Sequence, residues 1–351
     1  MSRNSDSLRQ ILGVELPIIQ APMAGVQANA LAAAVSNAGG LGSLPCALLD
    51  VDGMRAELAA LASATAAPFN VNFFCHKPPR IDADREARWR AALAPYYKEL
   101  GLEPDTSPAA GARIAFNSDA ADVLEDFKPR VVSFHFGLPS AELVGRVKSR
   151  GAKVLSTATT VDEALWLEAH GVDAIIAQGV EAGGHRGMFL SEDVSTQVGT
   201  LALLPQIVRA VGVPVVAAGG IADARGVSAA LALGAAGVQA GTAYLLCPEA
   251  TTSAIHRAAL KSETARHTAL TNVFTGRPAR GIMNRIIREL GPMSPAAPEF
   301  PLAASAILPL RAKAEAQGSS DFSSLWSGQN ASGCREVPAA ELTRQLAEGL
   351  Q

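Results

Sequence analysis

The sequence is poor in cysteine, in net charge and in long apolar runs. Its four cysteines, Cys46, Cys75, Cys247 and Cys334, form no CxxC pair. That spacing supports neither a metal site nor a dense disulfide framework, and a reducing cytoplasm is the expected compartment. The formal net charge is −3, which implies no basic face for nucleic acid. No apolar run reaches the ~18 residues of a membrane span. Residues 1–10 are polar and lack the apolar stretch of a secretory signal. No GxGxxG follows the first expected strand, so no separate Rossmann nicotinamide domain enters the reading.

The chain's 351 residues, 48% of them hydrophobic, suffice for one large core plus a smaller domain. Short apolar runs at 17–21, 40–45, 69–74, 131–136, 153–158, 174–179, 214–218 and 237–244 alternate with helical patterns. Short, continuously apolar strands separated by helices argue for a parallel sheet. Eight such units predict an α/β fold of the closed (β/α)8 TIM-barrel type rather than an open doubly wound sheet.

Two stretches break the alternation. Residues 76–111 carry Pro78, Pro79, Pro95, Pro104 and Pro108 with clustered arginines, and read as an insertion after the third strand. Beyond residue 250 the pattern loosens. A helix is expected over 254–263, then a basic run with Arg277, Arg280, Arg285 and Arg288. A proline-rich 291–301, a small polar stretch around Trp326 and a closing helix over 339–349 follow. The expected organisation is a barrel of residues 1–75 and 112–250. Residues 76–111 and 251–351 would form a smaller, mostly helical substrate or lid domain over the barrel mouth.

Chemistry in such a barrel sits at the C-terminal strand ends. The sixth strand runs into QGVEAGGHRG at 178–187, with four glycines and His185. Glycines let a backbone approach a ligand closely, and His185 presents a titratable group there. Gly219-Gly220 follows strand seven, and Gln239-Ala240-Gly241-Thr242 ends strand eight. Barrels of this kind hold a phosphate there on backbone N–H groups. Gln20-Ala21-Pro22-Met23 ends strand one. Asn70 and Asn72 lie inside an apolar strand, where an amide is costly unless hydrogen-bonded. A bond within the barrel would satisfy either. At Asn72, nearer the strand end, and at Gln178, contact with a polar ring system is the reading adopted. Amides around a flat heterocycle, with a phosphate cradle opposite, point to flavin mononucleotide (FMN).

Among the other titratable groups, His76 follows strand three and can reach the mouth. His135 reads as a packed, satisfied histidine, and His170, His256 and His267 as solvated ones. Cys75 reads as structural, since no sequence neighbour would lower its pKa. The arginine run from Arg277 reads as a solvated face, with anion binding as its alternative.

The motifs QAPMAG (20–25), NVNFFCH (70–76), GVEAGGHRG (179–187), AAGGI (217–221) and QAGT (239–242) together resemble the nitronate monooxygenase family. The likeness runs from strand one to strand eight and continues into LWSGQ (325–329). It implies non-covalent FMN and oxidation of alkyl nitronates by O2 to a carbonyl compound and nitrite. His185 matches the family's catalytic histidine; an imidazole can take an α-proton from a nitroalkane or hydrogen-bond the nitro oxygens. FMN contacts would map onto Met23, Asn72, Gln178, Gly183, Gly220 and Gln239, Ala240, Gly241 and Thr242. Ala21, Pro22 and Gly219 join them as neighbours. A homodimer is compatible with this reading. Two alternatives are carried: an FMN-dependent NAD(P)H:quinone or enoyl-thioester reductase, and an FMN-binding protein without redox turnover.

Overall fold

The computed structural model describes residues 3–103 and 113–350. Pro104, Pro108 and the expected insertion boundary at 111–112 lie outside the described residues. Strands β1 (Ile18–Gln20), β2 (Gly42–Pro45), β3 (Phe69–Phe74), β4 (Val131–His135), β5 (Lys153–Ala158) and β6 (Ala174–Gln178) come first. Strands β7 (Gly184–His185), β8 (Val215–Ala218), β9 (Gly237–Ala240), β10 (Thr268–Thr271) and β11 (Ala279–Ile282) follow. Eight of these pair in parallel in the order β1-β9-β8-β6-β5-β4-β3-β2. The two ends meet at an Ile19–Leu41 bridge, where Leu41 N–H donates to Ile18 O and Gln20 N–H to Leu41 O, both at 2.9 Å. The eighth barrel strand was expected to reach residue 244. It stops at Ala240, because the chain turns at Gly241 into a 3-10 helix, Thr242–Leu246.

The strands are mostly apolar because both faces are buried. In β6, Ala174 and Ile176 face the barrel interior while Ile175 and Ala177 face the helices. In β8, Val216 and Ala218 face inward, and Val215 and Ala217 outward. The interior row begins at the bottom with Leu8 and Leu12 of the helix Arg3–Leu12, packed under Ile19, Val131 and Leu155. Helices between the strands start on side-chain caps. Asp50, Ser140, Thr160 and Asp223 each accept a backbone N–H, which satisfies one orphan donor of each first turn.

A second core lies beside the barrel. Trp89, Leu93, Tyr96 and Tyr97 of the helix Ala83–Glu99 pack with Phe274, Ile287, Ile307, Leu310 and Phe322. Trp89 Nε1–H donates to Ala303 O at 3.2 Å, and Tyr97 O–H to Ala306 O at 2.8 Å. Insertion and tail therefore share one core and hydrogen bonds between residues 214 apart in sequence (89 to 303).

Two details of the expected organisation change. The tail does not stay together: Ala339, Leu342 and Leu346 of the last helix, Ala339–Ala347, join the barrel's own core. Thr343 Oγ1 lies 2.9 Å from the buried Tyr244 hydroxyl. The apolar stripe of that helix is covered by barrel helices, which a linear division at residue 250 cannot show. The smaller region is also not simply helical. It contains the antiparallel sheet β10-β11-β7, whose two-residue β7 has no periodicity to read. Among the described residues, no helix is long and apolar enough to cross a membrane.

Trp89 is 1% exposed at the junction of insertion and tail. Trp89→Ala should cost about 3–5 kcal/mol, read as a lower urea midpoint for the transition of that core. An unchanged midpoint would show that the two segments are not energetically joined there.

Candidate active site

The inward rows change character as they climb. Above Ile19, Val131, Leu155, Ile176 and Val216, the next inward positions are Ala21, Ser133, Thr157, Gln178 and Ala218, with Asn72 and Gln239 level with them. These residues, with Pro22, Met23, Gly183, His185, Gly219, Gly220, Gly241 and Thr242, line one cavity at the C-terminal ends of the barrel strands. Of the expected site residues, Ala240 alone does not reach it. Its side chain is buried in the core, and its carbonyl accepts the Ala21 N–H at 2.8 Å.

The loop after β1 is shaped by a buried amide network. Gln20 Oε1 accepts the Ser43 N–H at 3.0 Å, and Gln20 Nε2 donates to Gln27 Oε1 at 2.6 Å. Gln27 Oε1 also accepts the Met23 N–H at 3.0 Å. In β3, Asn70 Nδ2 bonds the hydroxyls of Ser43 and Ser133, a bond inside the barrel. Asn72 Nδ2 donates to Ser133 O and Oγ. With its amide hydrogens so engaged, Asn72 has its oxygen left to accept a donor from the cavity.

The loop after β6 is held by two guanidinium groups. Arg186, fully buried, donates to Gln178 O and Gly179 O, both at 2.7 Å, and to Gln197 Oε1 at 2.9 Å. Arg280 Nε donates to Val180 O at 2.8 Å. Three consecutive carbonyls at the end of β6 are thus satisfied. Burial pushes the Arg186 pKa down to about 10, so it stays charged at neutral pH. The buried Glu163 is the nearby counter-charge, and it accepts the Phe189 and Leu190 N–H groups at 2.6 and 3.2 Å. Gln178 clamps the same loop, donating to His185 O at 3.0 Å and accepting the Gly187 N–H at 2.8 Å.

The loops after β8 and β9 form an open cradle. Gly219 and Gly220 have φ of +118° and +72°, a region that L side chains rarely adopt. The backbone N–H groups of Gly220, Gly241 and Thr242 have no partner among the described residues. A tail segment closes this side. Gly328 N–H donates to Thr242 Oγ1, Gln329 N–H to Glu181 O, both at 2.9 Å, and Asn330 Nδ2 to Gly220 O at 3.0 Å. The approach is so close that a Cβ on Gly183 would lie 2.5 Å from Gly328 N.

His185 lines the same cavity as the cradle. Its Nε2 is 2.9 Å from Thr275 Oγ1, which in turn reaches Arg277 O at 3.4 Å. If the hydroxyl donates to that carbonyl, it accepts from Nε2–H, and the Nδ1 lone pair is left free. Phe74, Phe136, Phe300 and Trp326 surround the ring, with centroids at 6.1, 6.1, 5.4 and 5.5 Å. Burial, then Arg113, His135 and Arg277, hold its pKa well below the usual imidazole range. His135 is packed and satisfied: Nε2 contacts His185 O at 3.2 Å and Nδ1 contacts Thr157 Oγ1 at 3.1 Å.

Other expectations are corrected. Arg277 and Arg280 are not a solvated face; the Arg277 guanidinium stacks 4.0 Å over the Phe136 ring, and Arg280 is buried. Of that run, Arg288 is exposed. His256 is not solvated; it is 4% exposed, with Nε2 3.1 Å from Trp326 O. His76 is buried against Phe300 (4.9 Å) but does not line the cavity. Cys75 is a thiol whose pKa burial raises, in keeping with a structural role. Arg113, Thr275, Ser133 and the aromatic cage were missed. Only NVNFFCH, which places Phe74 at a strand end, carried a signal for any of them.

The buried histidines carry a pH consequence. Burial lowers both His76 and His256 to about 4, from about 6.5 in an unfolded chain. The unfolded state therefore binds more protons below ~6.5. The stability they allow is fully present above that pH and is lost as pH falls toward about 4. Each contributes up to about 1.4 kcal/mol per pH unit in that window. Melting curves at pH 7, 6 and 5 should show this loss, and His256→Gln should flatten it. An identical slope in wild type and variant would contradict it.

Residues 5–349 match the family model described as nitronate monooxygenase. A Pseudomonas aeruginosa protein named nitronate monooxygenase is 45% identical over 350 residues, covering 99% of both chains. One from Paraburkholderia phytofirmans is also 45% identical, covering 98% of this chain and 95% of the other. Among solved structures, a nitroalkane oxidase from Streptomyces ansochromogenes superposes with a TM-score of 0.89 at 41% identity, covering 98% and 99% of the two chains. FabK from Thermotoga maritima superposes at 0.72 with 28% identity, covering 97% and 94%. With a family model matched across almost the whole chain and relatives of equal length at this identity, the chain belongs to the nitronate monooxygenase family, a family of oxidoreductases.

Proposed function

We propose that the protein binds FMN in this cavity and oxidises alkyl nitronates with O2 to a carbonyl compound and nitrite. The observation that carries the reading is that two features share one cavity. Among the described residues, unpartnered N–H groups at Gly220, Gly241 and Thr242 and the His185 imidazole in its aromatic cage line the same space.

The residues fit a flavin. Gln239 Oε1 is buried without a partner, a cost relieved by a ring N–H. Asn72 offers a further acceptor. The three free N–H groups and the Thr242 hydroxyl, which already accepts from Gly328, suit one phosphate. When bound, the flavin would supply the redox chemistry. The chain's part is to bind, orient and exclude water. Thr275 fixes the His185 ring, Gln178 and His135 fix its backbone carbonyl, and Phe74 and Trp326, which line the cavity, give the substrate carbon an apolar setting. Neutral at physiological pH, the His185 imidazole can take a proton at Nδ1 from a nitroalkane carbon, and once protonated there it can hydrogen-bond a nitro oxygen through Nδ1–H. Residues 76–103 and the tail through 338 act in this reading as a substrate lid, because their shared core adjoins Trp326 at the mouth.

Two measurements test the proposal. Flavin released from the denatured holoprotein should run as FMN on chromatography; FAD as the main species would overturn the single-phosphate cradle. Anaerobic nitronate should bleach the bound flavin without NADH. Bleaching by NADH alone would favour a reductase, and bleaching by neither a binding protein.

His185→Asn should lower any nitroalkane turnover by about 10² to 10⁴-fold, the usual contribution of a general base. Nitronate oxidation should fall far less, with flavin retained. Because the His185 pKa is pushed well below its ordinary value, wild-type kcat/KM should show no histidine inflection near pH 6.5. Equal losses on both substrates would assign His185 to binding. No loss on either would remove it from the site.

A further inference from the structure

Arg113 lines the cavity, yet its guanidinium has no carboxylate or hydrogen-bond partner among the described residues. Its Cζ lies 5.5 Å from the centroid of the Phe300 ring, and that ring's centroid is 5.4 Å from His185. Its carbonyl is hydrogen-bonded by His76, which ties the backbone to the end of β3. Desolvation is the cause that lowers its pKa. The second cation of the cage differs. Arg277 donates through Nη2 to Met188 O, stacks on Phe136 and does not line the cavity. Among the described residues, Arg113 is therefore a cavity-lining guanidinium with no committed donor, in the same cavity as the His185 imidazole.

Arg113 is half-buried, and a charge partly withdrawn from water is costly to leave without an opposite charge. A nitronate has the form of a carboxylate, with two oxygens on one planar centre sharing a negative charge. A guanidinium fork matches that geometry with two parallel N–H···O bonds. We infer that Arg113 is a specificity residue that binds the two nitronate oxygens and makes the cavity select the nitronate anion over its neutral nitroalkane. The neutral nitro group offers the same two oxygens without the full charge, so it gains much less from the same fork. The inference rests on the proposed substrate, but its anion site can be measured apart from turnover.

The probe is nitrate, a planar monoanion with the same O–N–O edge. Calorimetric titration of the flavin-loaded protein should show nitrate binding that weakens about 10- to 100-fold in Arg113→Gln, the worth of hydrogen bonds to a charged group. Arg113→Lys should recover part of it. Arg113→Met, which keeps an apolar stem against Phe300, should behave like the glutamine variant. KM for a nitronate should rise by a similar factor, while any KM for the neutral nitroalkane changes little. Equal nitrate affinity in wild type and in either flavin-loaded Gln or Met variant overturns the assignment. So does an equal rise of KM on both substrates. If nitrate binding depends on Arg113 but wild type does not oxidise nitronates, the anion site stands and the proposed function fails. If nitronates are oxidised but nitrate binding ignores Arg113, the function stands and this inference fails.

Discussion

A parallel strand closed into a barrel has no face that sees water. Every polar side chain on its inner row must find a partner or face a ligand. That constraint orders the structure. The inner row is apolar at the bottom, from Leu8 and Leu12 to Ile176 and Val216. It becomes polar at Asn72, Ser133, Thr157, Gln178 and Gln239. Most of these amides and hydroxyls are satisfied by one another or by loop backbone. Where satisfaction stops, at Gln239 Oε1 and at the free N–H groups of the cradle, the protein presents recognition rather than packing.

The same economy governs the charges. Arg186 and Arg280 are buried at low cost because they close the carbonyl ends of β6 with good geometry. Both also have a nearby glutamate: Glu163 and Glu181 for Arg186, Glu181 for Arg280. His185 rides on the loop these arginines hold. Its position is set by three hydrogen-bonding neighbours: Gln178, His135 and Thr275. A change at any of them would be felt as misplacement of the ring.

The barrel was legible in the sequence because most inward and outward positions are apolar, leaving short apolar runs between helical patterns. The cavity lining was legible because glycines and amides break those runs at their ends; Asn72, Gln178, Gly220 and Gly241 follow from that alone. Other residues left no such trace. Arg113 is one cation in an irregular stretch before the helix Ser118–Phe127, and Thr275 is one hydroxyl in a loop. β7 is two residues long, and its partner β11 lies 95 residues on, counting from Gly184 to Ala279. The basic run misled because burial of an arginine depends on carbonyls from another segment, and charge pattern along one segment does not record them. His256 misled for the same reason, its acceptor being Trp326 O.

The segment 328–330 is the last part of the cradle in chain order, following β9 by nearly ninety residues (240 to 328). Its contacts to Thr242, Glu181 and Gly220 therefore cannot form while the chain is still being synthesised through its C-terminal third. A nascent barrel can close its sheet first, but it offers only a half-walled cradle. The walls of the cradle are complete only once residues 328–330 have joined it. Damage to the tail would accordingly be read first in ligand retention rather than in secondary structure.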